Sequence, residues 1–257
     1  MSNRTKLLDI ELTQPIETIA NLEDYDALQG LVRLQGAPIG LIYLPVRDGC
    51  CLAHSISQAI TDQHLQAIAQ QLVYERLSNP NADWQVANLL RQPQFPPPSS
   101  LSVTVALCVQ SDDAESIVDC LTALDSLSLA PHEVLVVESA QQSDTLMQLA
   151  SRYPQFRYLS TPAGFNVARN LAIAHAQGDI VAFTSSRSIV DAGWTNAIAH
   201  ALDRNADAIA LTGFIVPDHL ETSAQHRFEV GYGFGRGYDR RRYCLSQAPN
   251  SVQLGAW

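Results

Sequence analysis

Val103-Thr104-Val105-Ala106-Leu107-Cys108-Val109 is a run of seven residues, apolar but for Thr104 and rich in β-branched side chains. A strand covered on both faces reads this way, because neither side has to alternate with solvent. Ser111-Asp112-Asp113 follows as a helix N-cap, and Ile117, Cys120, Leu121, Leu124 and Leu127 then recur at helical spacing. The same unit repeats downstream. Glu133-Val134-Leu135-Val136-Val137 predicts a second strand, with a helix from Ser143 to Arg152. Phe156 to Ser160 predicts a third strand, with a helix over Asn166–Ala176. Asp179 to Thr184 predicts a fourth, with a helix over Ala192–Leu202, and Ala208 to Gly213 closes the series as a strand. Strands alternating with helices imply right-handed crossovers and a mostly parallel sheet flanked by helices, an α/β fold of the Rossmann type. Such sheets bind ligands beyond the carboxyl ends of their strands, where strand order reverses. Here those ends are the loops after Val109, Val137, Ser160 and Thr184.

Upstream the pattern is different. Leu28–Leu34 and Ile39–Val46 read as two strands joined by a turn at Gln35-Gly36-Ala37-Pro38. An amphipathic helix over Ala53–Leu77 follows, giving a small β-β-α module with no chemical motif. Asn79-Pro80, Pro93 and Pro96-Pro97-Pro98-Ser99-Ser100 mark a linker. The expected organisation is an accessory module over 1–77, a Pro-rich linker over 78–100 and the α/β domain over 101–257.

Composition narrows the function classes. Of 257 residues 46% are hydrophobic and 16% charged, enough apolar material for a sizeable core. Net charge is −10, with an acidic excess both before and after Ser100, which argues against nucleic-acid binding by phosphate neutralisation. The local exception is Arg227 to Arg242, where five Arg stand against Glu229 and Asp239. The five cysteines, Cys50, Cys51, Cys108, Cys120 and Cys244, form no C-x-x-C pair, so reduced thiols are expected. The first residues lack the apolar core of a signal peptide, and no window approaches a membrane-spanning run. A cytoplasmic protein is the expectation.

The strand-end loops carry a resemblance. Val105 to Gln110 stands where the first strand of the family-2 glycosyltransferases, inverting enzymes with a GT-A fold, runs into its loop. Glu133-Val134-Leu135-Val136-Val137-Glu138-Ser139-Ala140 resembles that family's E-x-x-V-V-D-N-A. Gly164-Phe165-Asn166-Val167-Ala168-Arg169-Asn170 resembles its G-x-x-x-A-R-N helix start. Gly178 to Thr184, followed by Asp191-Ala192-Gly193-Trp194, frames the place of its D-D-D or D-x-D, and Leu211-Thr212-Gly213 and Phe228-Glu229 continue in register. The likeness spans 101–242, and the N-terminal module is similar to the leader of some members.

The resemblance implies a nucleotide site made by Cys108, Gln110, Glu138, Arg169 and Asn170, for a UDP- or GDP-type nucleotide sugar. Glu138 can accept from a base N–H; read by itself it is a solvent-facing acid closing a strand. Arg169 can meet a phosphate as a fork donor, or serve as a structural Arg at a helix start. The helix beginning near Asn166 turns its first N–H groups towards the strand ends.

The loop after Thr184 departs from the family. A D-x-D there would hold Mg²⁺ or Mn²⁺ against the diphosphate. This chain has Ser185-Ser186-Arg187, a diphosphate loop of neutral hydroxyls and a cation, so no metal and no catalytic residue is assigned. Mg or Mn enters only if the degenerate site still binds metal. Either Arg187 replaces the ion as a fixed cation, or the site has stopped catalysing. The family's later acceptor segment, with its general base, would begin about where Leu254-Gly255-Ala256-Trp257 ends the chain, and such a base is typically worth about 10²–10⁴-fold. With both requirements missing, weak or lost transfer is the expectation. The alternative is a non-enzymatic scaffold or regulatory partner that uses the transferase-like surface. A sheet missing its last part predicts self-association as a homo-oligomer, or a protein partner.

Three other features are set aside. Gly231 to Tyr238 is glycine-rich but does not satisfy G-x-G-x-x-G and reads as a loop. Arg240-Arg241-Arg242 reads as a solvated face. Seven scattered histidines give no zinc motif.

Overall fold

The computed structural model describes residues 4–78, 99–110, 114–140, 144–235, 237–238 and 241–243. The N-cap at Ser111-Asp112-Asp113, most of the Pro-rich linker, Arg236, Asp239, Arg240, Cys244 and the last four residues lie outside them. By contacts the chain divides into two compact units: Met1–Gln94 with Thr212–Trp257, and Phe95–Leu211.

The first unit is built on a three-stranded sheet of order β1-β2-β3, with β1 Thr5–Glu11, β2 Ala27–Leu34 and β3 Ala37–Pro45. The expected β-β-α module is therefore β-β-β-α. The additional strand β1 pairs parallel to β2 and carries exposed and half-buried residues between Thr5 and Ile10. Its pairing is non-local and its apolar side is discontinuous, so no alternation marks it. β2 and β3 form an antiparallel hairpin that turns through Gln35 and Gly36, both in the left-handed region at φ 52° and 78°. Two positive φ values suit the twist of a two-residue hairpin loop. Glu11 accounts for the non-glycine residue there: its carboxylate accepts from the backbone N–H of Gln35 (2.9 Å) and of Gly36 (2.8 Å). Helix α1, Ala53–Ser78, lays Ile56, Ala59 and Ile60 into a core shared with Leu28, Val32 and Ile42. Helix α6, Ser223–Tyr232, starts with a capping box between Thr222 and Gln225. Just before it, Leu220 is buried and its carbonyl accepts from Thr5 N–H at 2.8 Å.

The second unit is the expected α/β fold. Its strands are β4 Val103–Val109, β5 Glu133–Glu138, β6 Arg157–Ser160 and β7 Ile180–Thr184, and its helices are α2 Ala114–Asp125, α3 Asp144–Arg152, α4 Phe165–His175 and α5 Trp194–Asp203. All strand pairs are parallel, in the order β6-β5-β4-β7. Every residue of β4 is buried, which is what its unbroken apolar run requires. Alternation splits the strands between two cores. Val105, Leu107, Val134 and Val136 meet α2 and α3 through Leu121, Leu124, Leu146 and Leu149. On the opposite face Ala106, Cys108, Leu135 and Val137 meet α4 through Ala168 and Ala172. The alanines let that helix lie close to the sheet.

One expected strand is not formed. Ala208 to Gly213 is irregular and mostly exposed, with Ile209 at 97%. An apolar, β-branched run makes a strand only where a neighbouring strand and a buried face receive it. Among the described residues no helix is long and apolar enough to cross a membrane.

The amino ends of the strands are tied by two carboxylates. Asp179, at the start of β7, accepts from the backbone N–H (2.9 Å) and hydroxyl (2.6 Å) of Ser102, just before β4. Glu133 accepts from the Thr104 hydroxyl (2.9 Å), from Gln177 N–H (2.6 Å) and from Arg157 of β6. Burial works against the Glu133 charge, but these donors outweigh it and hold the carboxyl below the ordinary range. A depressed carboxyl stabilises the fold above its unfolded-state pKa, and the contribution is lost as pH falls through the folded-state value. Glu133→Gln is expected to cost roughly 1.5–3 kcal/mol near neutrality. The gap to wild type should close on acidification; urea midpoints of both proteins across the acid range check it.

Candidate functional site

Strand order reverses at β4. The chain moves outward through β5 and β6, then returns by α4 to place β7 on the other side of β4. The carboxyl ends of β4, β5 and β7 therefore surround the switch point of the sheet, where an open α/β sheet receives a ligand. Nearly every residue singled out from sequence lies on or beside this rim.

Glu138 is the last residue of β5, in register with Val109 of β4 and Ser160 of β6. It is only 2% exposed. The reading of a solvent-facing acid closing a strand does not hold. The alternation that puts Val134 and Val136 against α2 and α3, continued one step, assigns Glu138 to that face. Backbone bonds fix the strand end around it: Ser139 N–H donates to the Val109 carbonyl (2.8 Å) and Thr161 N–H to the Glu138 carbonyl (2.9 Å). A carboxylate in such a position is costly to desolvate, which makes it the most informative polar group of the rim.

Arg169 and Asn170 are exposed on the first turns of α4. The Arg169 guanidinium lies over the Phe165 ring, 4.5 Å from its centroid, so its planar group is held one helical turn from the start. α4 begins at Gly164, whose φ of 93° and ψ of 170° are open essentially to glycine alone, and no side chain caps its first N–H groups. Cys108 is 4% exposed and packs with Ala106, Leu135 and Ala168. Burial pushes its thiol up, and the positive charge of Arg169 offsets part of the rise. Cys108 is thus part of the layer beneath α4. Gln110, the first residue beyond β4, is exposed.

The loop after β7 is a tight turn. Ser188 N–H donates to the Ser185 carbonyl (3.1 Å), and the hydroxyls of Ser185 and Ser188 are 2.8 Å apart. Ser186 is half-buried and Arg187 exposed within it. Asp191 opens α5, where its Oδ1 accepts from Gly193 N–H at 3.0 Å and its carbonyl from Trp194 N–H at 2.9 Å. Among the described residues no three His, Cys, Asp or Glu side chains converge as a metal site would require.

The structure thus distributes Gln110, Glu138, Arg169, Asn170, Ser185, Ser186 and Arg187 around one rim, on both sheet faces, and removes Cys108 to the core. Sequence reasoning missed the burial of Glu138. Its only available signal was continuity with the buried alternation of Val134 and Val136. A different concavity, of about 420 Å³, lies in the first unit around α6, lined mainly by Ile215, Val216, Leu220, Ala224, Phe228 and Phe234. Its wall is mostly apolar, with His219, Gln225 and Glu229 as its polar residues.

A parallel α/β sheet flanked by helices, with its strand order reversing at β4, is the architecture of a Rossmann-type domain. The chain belongs to glycosyl transferase family 2, whose model matches residues 104–251, more than half of the 257. No curated protein matches it. Among solved structures it is similar to S. aureus TarS 1-349, at 20% identity over 46% of this chain and 39% of that one, with a TM-score of 0.37. It is also similar to S. aureus TarS, at 19% identity over 46% and 23%, TM-score 0.37. The same TarS portion in complex with UDP-GlcNAc gives 20% identity over 46% and 37%, TM-score 0.36. The chain spans less than half the length of each of these.

Proposed function

We propose that the strand-end rim binds the nucleotide of a UDP- or GDP-type sugar, and that glycosyl transfer at this site is weak or lost. The buried carboxylate of Glu138 carries this reading. A nucleobase N–H arriving at the rim can donate to this carboxylate in a low-dielectric setting, where a charge-assisted hydrogen bond is strong. Arg169 and the hydroxyls of Ser185 and Ser186 supply donors for phosphate oxygens. Weak transfer is argued from the same loop, where hydroxyls and a guanidinium stand in place of carboxylates. Membership of the family supports this class of ligand, and the chemistry of the site bears on what is done with it.

Calorimetric titration of UDP, GDP and their sugars into wild type and Glu138→Ala tests the proposal. Binding by wild type, weakened at least tenfold in the variant, is the expected result, alongside slow or undetectable release of the sugar. Equal affinities in the two proteins would overturn it.

A second reading, a partner-binding role without catalysis, rests on exposed apolar side chains. In the second unit Ile209 is 97% exposed, and in the first Val230 is 90% and Tyr232 78% exposed. Concentration-dependent association in light scattering, with no nucleotide binding, would favour it. The proposed compartment is the cytoplasm. Cys50, Cys51, Cys108 and Cys120 are free thiols, as a reducing environment would keep them.

A further inference from the structure

A transferase of this family implies a divalent ion beside the diphosphate, and the loop after β7 is where its ligands would stand. The residues there do not fit one. Mg²⁺ and Mn²⁺ require hard, preferably anionic oxygen donors in a convergent set. Ser185 and Ser188 offer neutral hydroxyls that face each other at 2.8 Å. The carboxylate nearest along the chain, Asp191, has Oδ1 directed to the backbone N–H of Gly193 at the entry of α5. Arg187 adds a positive charge within the turn, on an exposed side chain that repels a second cation. Hydroxyl donors beside a guanidinium instead suit an anion.

We infer that this site takes the diphosphate of its nucleotide without a divalent ion, with Arg187 supplying the positive charge. The inference rests on the strand-end nucleotide reading above and adds the means by which the charged part of the ligand is held. A guanidinium presents N–H donors in a fixed plane that matches two phosphate oxygens at once, whereas a coordinated ion would need ligands this turn lacks. The geometry supports it further. Residues 185–188 close on themselves by a backbone bond, so the side chain of Arg187 springs from a defined turn directly after β7, the strand paired with β4 at the switch point.

The test separates this inference from the reading beneath it by using ligands with and without phosphates. Uridine, UDP, guanosine and GDP are titrated into the full chain, first with EDTA and then with excess Mn²⁺. For the preferred base, the diphosphate is expected to bind more tightly than the nucleoside. Its affinity should change by no more than about twofold between EDTA and Mn²⁺. Arg187→Ala should weaken the diphosphate by roughly tenfold to a hundredfold and leave the nucleoside unchanged. Arg187→Lys should fall between the two, keeping the charge but not the fork. Nucleoside binding combined with a tenfold or greater gain from Mn²⁺ would overturn the inference and leave the nucleotide reading standing. So would an Arg187→Ala protein that holds the diphosphate as well as wild type. A wild-type chain that binds neither nucleoside nor diphosphate would overturn both.

Discussion

Leu135→Ala is expected to destabilise the second unit by roughly 2–5 kcal/mol, a large share of the stability of a domain this size. Leu135 is wholly buried on the face of the sheet that α4 covers. Its buried companions there are small: Ala106, Cys108, Ala168 and Ala172, with Val137 alone of intermediate size. Leu159, Phe165, Leu171 and Val181 pack against that layer but are only partly buried, so Leu135 is its one fully buried large side chain. The opposite core, with Leu107, Leu121, Leu124, Leu146 and Leu149, has many large side chains to share a loss. A backbone held close by alanines cannot move inward to fill the space, so the cavity term adds to the lost transfer free energy. The consequence reaches the rim, because α4 carries Arg169 and Asn170. A lower urea midpoint, with faster hydrogen exchange in β4, β5 and α4, is the measurement. Loss of less than about 1 kcal/mol would mean that α4 is not anchored by this layer.

How much of this was legible depended on how each element is stabilised. β4 and β5 are covered on both faces, so their sequences are continuous apolar runs and their place in a parallel sheet follows. Helices α2 to α5 come within one to three residues of their expected ends because apolar periodicity and local turn chemistry are short-range signals. β1 was not legible. Its partner β2 lies a long loop away, and its residues from Lys6 to Asp9 are half-buried or exposed. Ala208 to Gly213 failed in the other direction, because an apolar run records the capacity to pair and not the presence of a partner. At the site, positions were readable and environments were not. Alternation from Ala106 already assigns Cys108 to the face under α4. The tie of Glu133 to Thr104, Arg157 and Gln177 joins four separate segments and leaves no local pattern. That tie belongs to the amino ends of the strands, where polar groups hold the sheet together. The carboxyl ends are where an open α/β sheet receives its ligand.

Glu138→Met separates those two roles most sharply, with the largest functional effect expected of any single change. A structural carboxylate such as Glu133 stabilises the fold, and its removal weakens it. Glu138 is 2% exposed at the ligand end of β5, between Val109 and Ser160 in register. If its charge serves the ligand more than the fold, an apolar side chain of similar volume can take its place in the folded protein at small cost. Removing one member of a buried ion pair costs about 3–5 kcal/mol, so a carboxylate that ties the fold shows itself at once by lost stability. Glu138→Met is then expected to keep its melting temperature within a few degrees of wild type while nucleotide affinity falls by roughly a hundredfold, the scale of a charged acceptor removed from a buried contact. Thermal denaturation and calorimetric titration on the same preparation read both quantities. A melting temperature lowered by several degrees would make Glu138 a structural tie like Glu133, and the rim would lose its main claim to a ligand. Unchanged affinity in a fully folded variant would do the same from the other side. A stable protein that no longer binds is the one outcome that only a ligand-directed carboxylate explains.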